Sequence, residues 1–219
     1  MRKTMFHRGA TLCACAGVLA LLVLGAPAAT AQTGGIGGGG GSGPTGQTAD
    51  STYYSYWFGA RDLQKGNNGE DVKTLNWLLR GLKLGAPVHG SFVDPTESAV
   101  RSFQASVGVT SDGVVRTSTR KKLAARMRKQ HASYYGPGFF GNTTACGQKL
   151  TKKMVGVAHK KLPCGTRVVF AYKGRWARAR VIDRGPFIAG RTWDLTQKLA
   201  KRLGTISAGT ATVKAAVAP

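Results

Sequence analysis

The sequence predicts a multidomain α+β protein in which a small three-helix domain precedes a small, mostly β domain. Residues 60–128 carry apolar side chains at helical spacing, which is typical of short amphipathic helices. Residues 132–219 instead contain short runs of β-branched and aromatic residues, separated by Gly and Pro turns. The short basic stretch RMRKQH joins the two segments. Each segment is small for a domain but lies within the range that folds alone.

The N-terminus predicts a secretory signal peptide over residues 1–31. Arg2, Lys3 and Arg8 make a basic start, and an apolar run follows. The small-x-small sequence Ala29-Thr30-Ala31 then offers a cleavage site. An uncleaved membrane anchor is the alternative, although a membrane span needs roughly 20 apolar residues. We therefore expect an exported protein that has no stable membrane anchor after cleavage.

Residues 32–59 predict a flexible linker, because the stretch QTGGIGGGGGSGPTGQTAD has almost no side chains to bury. The chain carries 32 Lys and Arg against 9 Asp and Glu, which gives a net charge of +23. In an exported protein this charge favours anionic wall polymers, phosphate-rich glycans or lipid headgroups over nucleic acid. General solubility is the alternative role of the charge. We expect the protein to be a monomer.

Removal of residues 1–31 would leave two cysteines, Cys146 and Cys164. In an oxidising compartment this pair predicts one disulfide. A zinc site is the alternative, with His159 between the two thiolates and Asp183 or water as the fourth ligand. Without that fourth ligand, the tetrahedral coordination of the zinc ion would be incomplete. We expect the disulfide, and neither a metal nor another cofactor.

Helical spacing predicts three short helices in residues 60–128. The second helix starts at DPTE, where Asp94 is the predicted N-cap and Glu97 closes a capping box. The third helix follows the turn at Asp112-Gly113, with Thr117 or Ser118 as its cap. An apolar stripe at this spacing is typical of a core, so the segment offers no catalytic arrangement. The stripe of the first helix comprises Val72, Leu75, Leu79 and Leu82.

Residues 61–124 resemble the peptidoglycan-binding type 1 domain. The matching runs are LQKGNNGEDVKTLNWLLRGLKL and HGSFVDPTESAVRSFQASVGVTSDGVV, in the order of the family. This chain has Asn76 where the family usually has Gln. It also has Arg116-Thr117 in place of a Gly-Pro before the third helix. The resemblance implies a three-helix fold that binds the cell wall.

The second segment predicts strands at TRVVFAY, RWARARVI and ATVKAAV, and one helix at LTQKLAKRLG that ends at Gly204. In WARARVID, strand alternation places Asp183 on the inward face that includes Val181. Arg178 and Arg180 lie on the opposite face. Alternation therefore separates the carboxylate from its neighbouring arginines.

Acidic side chains are scarce in the second segment. Asp183 and Asp194 are the only acids after residue 112. We interpret Asp194 as a turn or helix-capping residue before Leu195. An ordinary glycosidase uses two carboxylates, one as acid and one as base or nucleophile. With Asp194 in a structural role, the segment does not fit a two-carboxylate hydrolase.

The second segment resembles the double-psi β-barrel domain of the rare lipoprotein A family, which is related in fold to expansins and some lytic transglycosylases. The matching pieces, in the order of the family, are ASYYGPGFFGNTTACG, GVAHKKLPCGTRV, RVIDRGPFIAGRTWDLTQKLAKRLG and GTATVKAAV. The resemblance implies a double-psi β-barrel over residues 132–219. For catalytic members it also implies cleavage of the glycan strand of peptidoglycan by intramolecular transglycosylation.

The resemblance also implies candidate site residues. The Asp of the D-R-G-P motif is Asp183, and the His of A-H-x-x-L-P is His159. Gln148 stands where active relatives have Glu, and its amide can bind but cannot exchange a proton at neutral pH. Asp183 and His159 are therefore the catalytic candidates. Gln148, Tyr135 and Arg184 are the candidates for binding the glycan. The alternatives are that Gln148 is a surface residue and that Tyr135 only packs at the rim of the barrel.

A lytic transglycosylase can work with one carboxylate, because the attacking hydroxyl belongs to the sugar of the substrate. Asp183 would then act first as acid and later as base, with a pKa raised from about 3.9 towards about 6. His159 is the alternative proton donor if the two side chains lie within hydrogen-bond reach. Asp183 could instead only accept backbone hydrogen bonds in its turn, and His159 could be structural.

Three functional hypotheses remain open from the sequence. The first is a peptidoglycan lytic transglycosylase that acts through Asp183. The second is a non-catalytic, expansin-like protein that binds or loosens the wall. The third is an interaction protein whose barrel binds another secreted protein. All three place the protein outside a bacterial cell and at the wall, with peptidoglycan glycan strands as partner and anionic wall polymers as a second partner.

Overall fold

The computed structural model describes residues 58–219. The predicted signal peptide and nearly all of the predicted linker lie outside the described residues. Phe58, at the start of the described part, is buried and packs edge-on against Trp176, with ring centroids 5.0 Å apart. The packed core therefore already includes a residue of the predicted linker. Within residues 58–219, no helix has both the length and the apolar character that a membrane crossing requires.

The first domain of the described chain contains three helices, as the apolar spacing predicts. They are α1 (Glu70–Gly81), α2 (Asp94–Ser106) and α3 (Thr117–Ala125). Asn76 of α1 is fully buried, and its amide donates to the carbonyl oxygen of His89 at 2.8 Å and accepts from the Thr96 hydroxyl at 2.9 Å. These bonds satisfy the buried amide and fix the connection between α1 and α2. The apolar core includes Leu63, Val72, Leu75, Leu79, Phe92, Val100, Phe103 and Leu123.

The predicted caps of α2 and α3 are wrong. Val93, not Asp94, is the N-cap of α2, and no side chain caps this helix. Glu97 forms an ion pair with Arg101 at 2.8 Å across one helical turn instead of closing a capping box. A proline in the first turn of α2 already holds a helical φ, so this helix can begin without the box. Arg116 precedes α3 in an extended conformation, again without a side-chain cap.

The second domain is a closed barrel, which confirms the predicted architecture. Its strands in the described chain occur in the order β1, β5, β2, β4, β3, β6 around the barrel. Strand β1 runs parallel to β5, and β2 runs parallel to β4. A helix, α4 (Gln197–Leu203), ends at Gly204 with φ 74°, as predicted. The strands are β1 (Arg128–Tyr135), β2 (Val157–Ala158), β3 (Arg167–Tyr172), β4 (Arg175–Asp183), β5 (Trp193–Thr196) and β6 (Ala211–Ala218).

Strand β1 starts inside the stretch RMRKQH, which the sequence suggests is a connection between domains. Arg128, Lys129, Gln130 and His131 all pair with residues of β6. The barrel thus begins at residue 128 and follows α3 after two residues. The connection between α3 and the barrel is short because the backbone pairs with β6 from Arg128 onward.

The helical domain packs on the outside of the barrel. Trp77 of α1 lies among three arginines of β3 and β4, with the guanidinium carbons of Arg167, Arg178 and Arg180 at 5.9, 4.9 and 5.9 Å from its ring centroid. Arg178 also forms an ion pair with Glu70 of α1. Barrel residues complete the core of the helical domain, so the two domains share one apolar cluster. These residues are Val169, Ala171, Trp176 and Ala218.

Candidate active site

One row of residues crosses four strands of the barrel. Ser133 of β1 pairs with Asp194 of β5, and Asp194 pairs in turn with Ala158 of β2. Ala158 also pairs with Asp183 of β4. Residues that pair across strands face the same side of a sheet, so the two carboxylates lie on one surface. With one strand between them, their Cα atoms are roughly 10 Å apart at ordinary strand spacing.

A register shift in β4 turns Asp183 onto this surface. Val181 pairs with Val157, yet Asp183 pairs with Ala158, so two residues of β4 correspond to one of β2. Neighbouring residues of β2 face opposite sides, and Asp183 therefore does not continue the inward row of Val181. The prediction from simple alternation was wrong at this residue because the irregularity interrupts the period of two.

Two backbone amides hold the Asp183 carboxylate. The backbone N of Ala145 and that of Arg184 each donate to Asp183 Oδ1 at 2.8 Å. Ala145 belongs to the loop that the Cys146–Cys164 disulfide fixes, with Cα atoms 5.8 Å apart. The predicted disulfide is confirmed. The alternative zinc site cannot form, because both sulfurs are used in this bond.

Asp194 lies within β5 and does not cap α4. Thr196 is the N-cap instead, and its hydroxyl accepts from the backbone N of Leu199 at 3.4 Å. The Ser133 hydroxyl donates to Asp194 Oδ1 at 2.9 Å. Burial raises the pKa of Asp194, and the charge of Asp183 raises it further, against the opposing effects of the Ser133 bond and a nearby arginine. Asp194 therefore keeps its proton to a higher pH than an exposed Asp.

Tyr135 of β1 completes a cluster of three residues, which we call the carboxylate cluster: Tyr135, Asp183 and Asp194. Burial raises the pKa of the Tyr135 hydroxyl, and the charges of Asp183 and Asp194 add to the rise. The hydroxyl lies near Asp183, yet it is buried without a well-formed hydrogen bond to any described residue. An unsatisfied buried hydroxyl costs roughly 1–3 kcal/mol. A ligand that bonds to this hydroxyl would therefore be stabilised.

Exposed apolar side chains stand on two loops beside the carboxylate cluster. Phe139 packs edge-on against Tyr135, with ring centroids 6.2 Å apart, and is 54% exposed. Phe187 follows Asp183 by four positions and is 83% exposed, and Ile188 is 55% exposed. Apolar groups exposed beside polar ones are typical of a ligand-binding groove.

His159 follows Ala158, and its ring lies on the opposite face of β2 from the carboxylate cluster. The ring packs on Trp193, with ring centroids 4.6 Å apart. Its Nδ1 accepts from the backbone N of Lys161 at 3.1 Å and from that of Leu162 at 2.9 Å. The neutral ring therefore carries its proton on Nε2. Burial, with a smaller effect of a nearby arginine, lowers the pKa of His159.

The structure does not bring together the two predicted catalytic side chains. Within residues 58–219, no hydrogen bond joins the His159 ring to the Asp183 carboxylate, and the two residues bond only through their backbones. His159 N donates to the Asp183 carbonyl oxygen at 3.2 Å. The titratable side chain that shares a surface with the Asp183 carboxylate is that of Asp194, on the strand that flanks Ala158.

The remaining predicted contacts lie on the loops around the carboxylate cluster. Arg184 donates to the carbonyl oxygens of Leu162 at 3.0 Å and of His159 at 3.4 Å, so its guanidinium fixes the loop after β2. Gln148 is exposed on the loop that holds Asp183, where its backbone N donates to Thr144 Oγ1 at 3.2 Å. Among the described residues, neither side chain hydrogen-bonds to a carboxylate of the cluster. Their contacts with a glycan remain predictions.

Two curated proteins that are similar to this chain have names that describe the same activity. The chain is 40% identical over 90 residues to "Probable endolytic peptidoglycan transglycosylase RlpA" of Synechocystis sp.. It is 35% identical over 111 residues to "Endolytic peptidoglycan transglycosylase RlpA" of Campylobacter jejuni. These alignments cover 40% and 50% of this chain, but 28% and 34% of the relatives. The matched region thus spans about a third of the length of these relatives.

Two solved structures are similar to parts of this chain. The chain is similar to the expansin of Clavibacter michiganensis at 22% identity, with a TM-score of 0.36, over 42% of this chain and 50% of that one. It is similar to the SleB N-terminal domain at 32% identity, with a TM-score of 0.29, over 30% of this chain and 90% of that one.

Family models match both domains. Residues 128–215 match the family described as "Lytic transglycolase". Residues 68–123 match the family described as "Putative peptidoglycan binding domain". With the closed barrel and the three-helix domain, these matches show that the chain joins a peptidoglycan-binding type 1 domain to a double-psi β-barrel domain of the rare lipoprotein A type.

Proposed function

We propose that the barrel is a lytic transglycosylase that cleaves peptidoglycan glycan strands at the carboxylate cluster, and that the helical domain holds the wall. The observation that carries this proposal is the pairing of two carboxyl groups with different environments on one surface. Asp194 is half-buried and its pKa is raised by burial, whereas Asp183 accepts two backbone N–H bonds. Acid and base catalysis needs such a difference between two groups. The names of the relatives support the choice of polymer.

The reaction requires one proton donor and one proton acceptor. Cleavage breaks the bond between the anomeric carbon of one sugar and the oxygen that bridges to the next. The 6-hydroxyl of the same sugar attacks that carbon and closes a 1,6-anhydro ring. In our proposal, Asp194 gives its proton to the departing bridging oxygen and the Asp183 carboxylate takes the proton of the 6-hydroxyl. One proton is given and one is taken, so the step consumes no water.

Ser133 and Tyr135 position the reacting groups. The Ser133 hydroxyl bonds to Asp194 Oδ1 and so sets the orientation of the carboxyl group. The Tyr135 hydroxyl stays protonated at neutral pH because its pKa is raised, and it lacks a well-formed bond within the described residues. In the complex it would donate a hydrogen bond to a sugar oxygen between the carboxylates. Binding of glycan would thus satisfy a polar atom that is otherwise buried without a partner.

A second function, binding of the wall without cleavage, is favoured by one observation. Gln148 stands where active relatives have Glu, so the loop that holds Asp183 offers an amide in place of a titrating group. In this alternative, the carboxylate cluster and Phe187 would hold sugar hydroxyls and ring faces, and no bond would break. Both functions place the exported protein at the cell wall, where its positive charge would also attract anionic wall polymers.

Purified wall sacculi separate the two functions. The full chain and its Asp183→Asn variant are incubated with sacculi, and soluble products and bound protein are both measured. The control is Asp62→Asn, which makes the same change at a carboxylate of the helical domain whose side chain is 53% exposed. Cleavage predicts anhydro-ended fragments from the wild type and the control, and binding without fragments from Asp183→Asn. Equal binding without fragments from all three proteins would support the second function instead.

A further inference from the structure

A cavity of about 400 Å³ opens where the helical domain meets one end of the barrel. This volume falls within the range of roughly 300–1,000 Å³ that is usual for ligand pockets. Helix α1, the end of α3, the first residues of β1, the end of β6 and the loop after β2 all contribute to its wall. Its apolar lining includes Leu78, Leu82, Leu123, Met127, Leu162 and Trp193.

Four polar side chains of the described chain line the same cavity. Each of them can donate hydrogen bonds to a ligand. Gln130 Oε1 already accepts from Trp193 Nε1 at 2.9 Å, which leaves the NH₂ group of its amide. Two backbone N–H groups engage His159 Nδ1, which leaves Nε2–H. Arg126 and Arg128 contribute two guanidinium groups. No acidic side chain in the described part of the chain lines the cavity.

The cavity is separate from the carboxylate cluster. Ala158 lies in the row of the two carboxylates, whereas the ring of His159, the next residue, packs on Trp193 in the cavity wall. Neither Asp183 nor Asp194 lines the cavity. The reaction proposed at the carboxylate cluster therefore assigns no role to the cavity.

We propose that the cavity binds the carboxylate end of a peptide, with the small side chains of that peptide on the apolar lining. Donors and positive charge without an acid select an anion. A sugar hydroxyl, in contrast, needs acceptors as well as donors. An inorganic phosphate would leave the exposed surface of Leu82, Leu162 and Val217 uncovered, whereas a peptide of small apolar residues would bury it.

Stem peptides of peptidoglycan end in such carboxylates, so the inference depends on the proposed function for the identity of the polymer. It does not depend on cleavage at Asp183. Because α1, α3 and the barrel all line the cavity, the two domains would recognise the peptide as one unit.

Calorimetric titration of the full chain tests the proposal with two matched probes. The first is acetylated Lys-D-Ala-D-Ala with a free C-terminal carboxylate, and the second is the same tripeptide as its C-terminal amide. Arg128→Glu is compared with Lys129→Glu, since both residues are exposed on β1 and only Arg128 lines the cavity. We expect the free acid to bind at least tenfold more tightly than the amide. Arg128→Glu should weaken binding of the acid at least tenfold, and Lys129→Glu by less than twofold.

Several outcomes would overturn the proposal, provided that circular dichroism shows each variant to be folded. They are no binding of the free acid, equal binding of acid and amide, equal losses in the two variants, and displacement of the acid by an equal concentration of inorganic phosphate. The cavity does not include Asp183, so the Asp183→Asn variant should still bind the free acid while it releases no glycan fragments. This difference separates the inference from the proposed function. Peptide binding by a wild type that releases no glycan fragments would overturn cleavage alone.

Discussion

Asp183 and Asp194 lie on one surface of the barrel, on the strands that flank Ala158. They are the only acids after residue 112, and the charge of Asp183 adds to the effect of burial on the pKa of Asp194. The pair therefore comprises one carboxyl group whose pKa burial raises and one that accepts two backbone N–H bonds. Two acids in different environments can serve as donor and acceptor in one reaction.

The Ser133→Ala variant should shift the pH dependence of cleavage. The bond from Ser133 lowers the pKa of Asp194, so its removal raises that pKa further. A raised pKa keeps the acid protonated to a higher pH, and the alkaline limb of kcat should therefore move to higher pH. The control is Ser106→Ala, which removes a hydroxyl from α2. An alkaline limb that stays in place, or moves to lower pH, would rule out Asp194 as the proton donor.

The Gln148→Glu variant should increase cleavage. It introduces an acid on the loop that holds Asp183, at the position where the family resemblance implies a Glu in active members. General acid or base catalysis by one side chain contributes roughly 10²–10⁴-fold, and we expect roughly a tenfold gain because Asp194 would already supply a proton in the proposed reaction. The rate of release of anhydro-ended fragments measures the effect, with Gln64→Glu in the helical domain as the control. No gain in a folded variant would show that this position does not limit the reaction.

The Phe187→Ala variant should weaken binding to wall glycan without loss of stability. Phe187 is 83% exposed, so its removal should change the free energy of unfolding by less than about 0.5 kcal/mol. If a sugar face covers this ring, affinity for sacculi should fall roughly tenfold, which corresponds to about 1.4 kcal/mol. Thr210→Ala is the control, since Thr210 is an exposed residue of the barrel domain that belongs neither to the carboxylate cluster nor to the cavity wall. Unchanged affinity in Phe187→Ala would remove this ring from the binding groove.

Loss of the disulfide should lower both stability and activity. Cys146 and Cys164 are 18 residues apart, and a closed loop of this length contributes about 3 kcal/mol by chain entropy. The double Ser variant should lose about that much free energy of unfolding in chemical denaturation. Cleavage should fall as well, because the freed loop carries the Ala145 amide that holds Asp183. The reduced wild type should behave in the same way, and a stable, fully active double variant would contradict this account.

The sequence predicted those parts of the fold that have a clear local pattern. The apolar spacing of α1 and the β-branched runs of β3, β4 and β6 were sufficient to identify these elements. Strand β1 was not predicted, because Arg128 and Lys129 resemble a solvated connection and only their pairing with β6 makes them part of a strand. Strand β2 has only two residues, which is too short for any periodic signal.

The candidate site could be predicted only in part, for a similar reason. Motifs identified Asp183 and Tyr135, which the structure brings together. Asp194 was interpreted as a cap because an Asp before a helical stretch is a common local signal. Its place beside Asp183 depends on pairing across β2, which links residues that are distant in the chain. The scarcity of acids after residue 112 was the sequence signal that could have identified it.

The most direct test of the central claim is the mass spectrum of fragments that the full chain releases from purified sacculi in water enriched in ¹⁸O. Transglycosylation through Asp183 and Asp194 predicts 1,6-anhydro ends without ¹⁸O. It also predicts that Asp183→Asn and Asp194→Asn bind the sacculi but release at least a hundredfold less product. Fragments that carry ¹⁸O at new reducing ends, or undiminished release by both variants, would contradict the account.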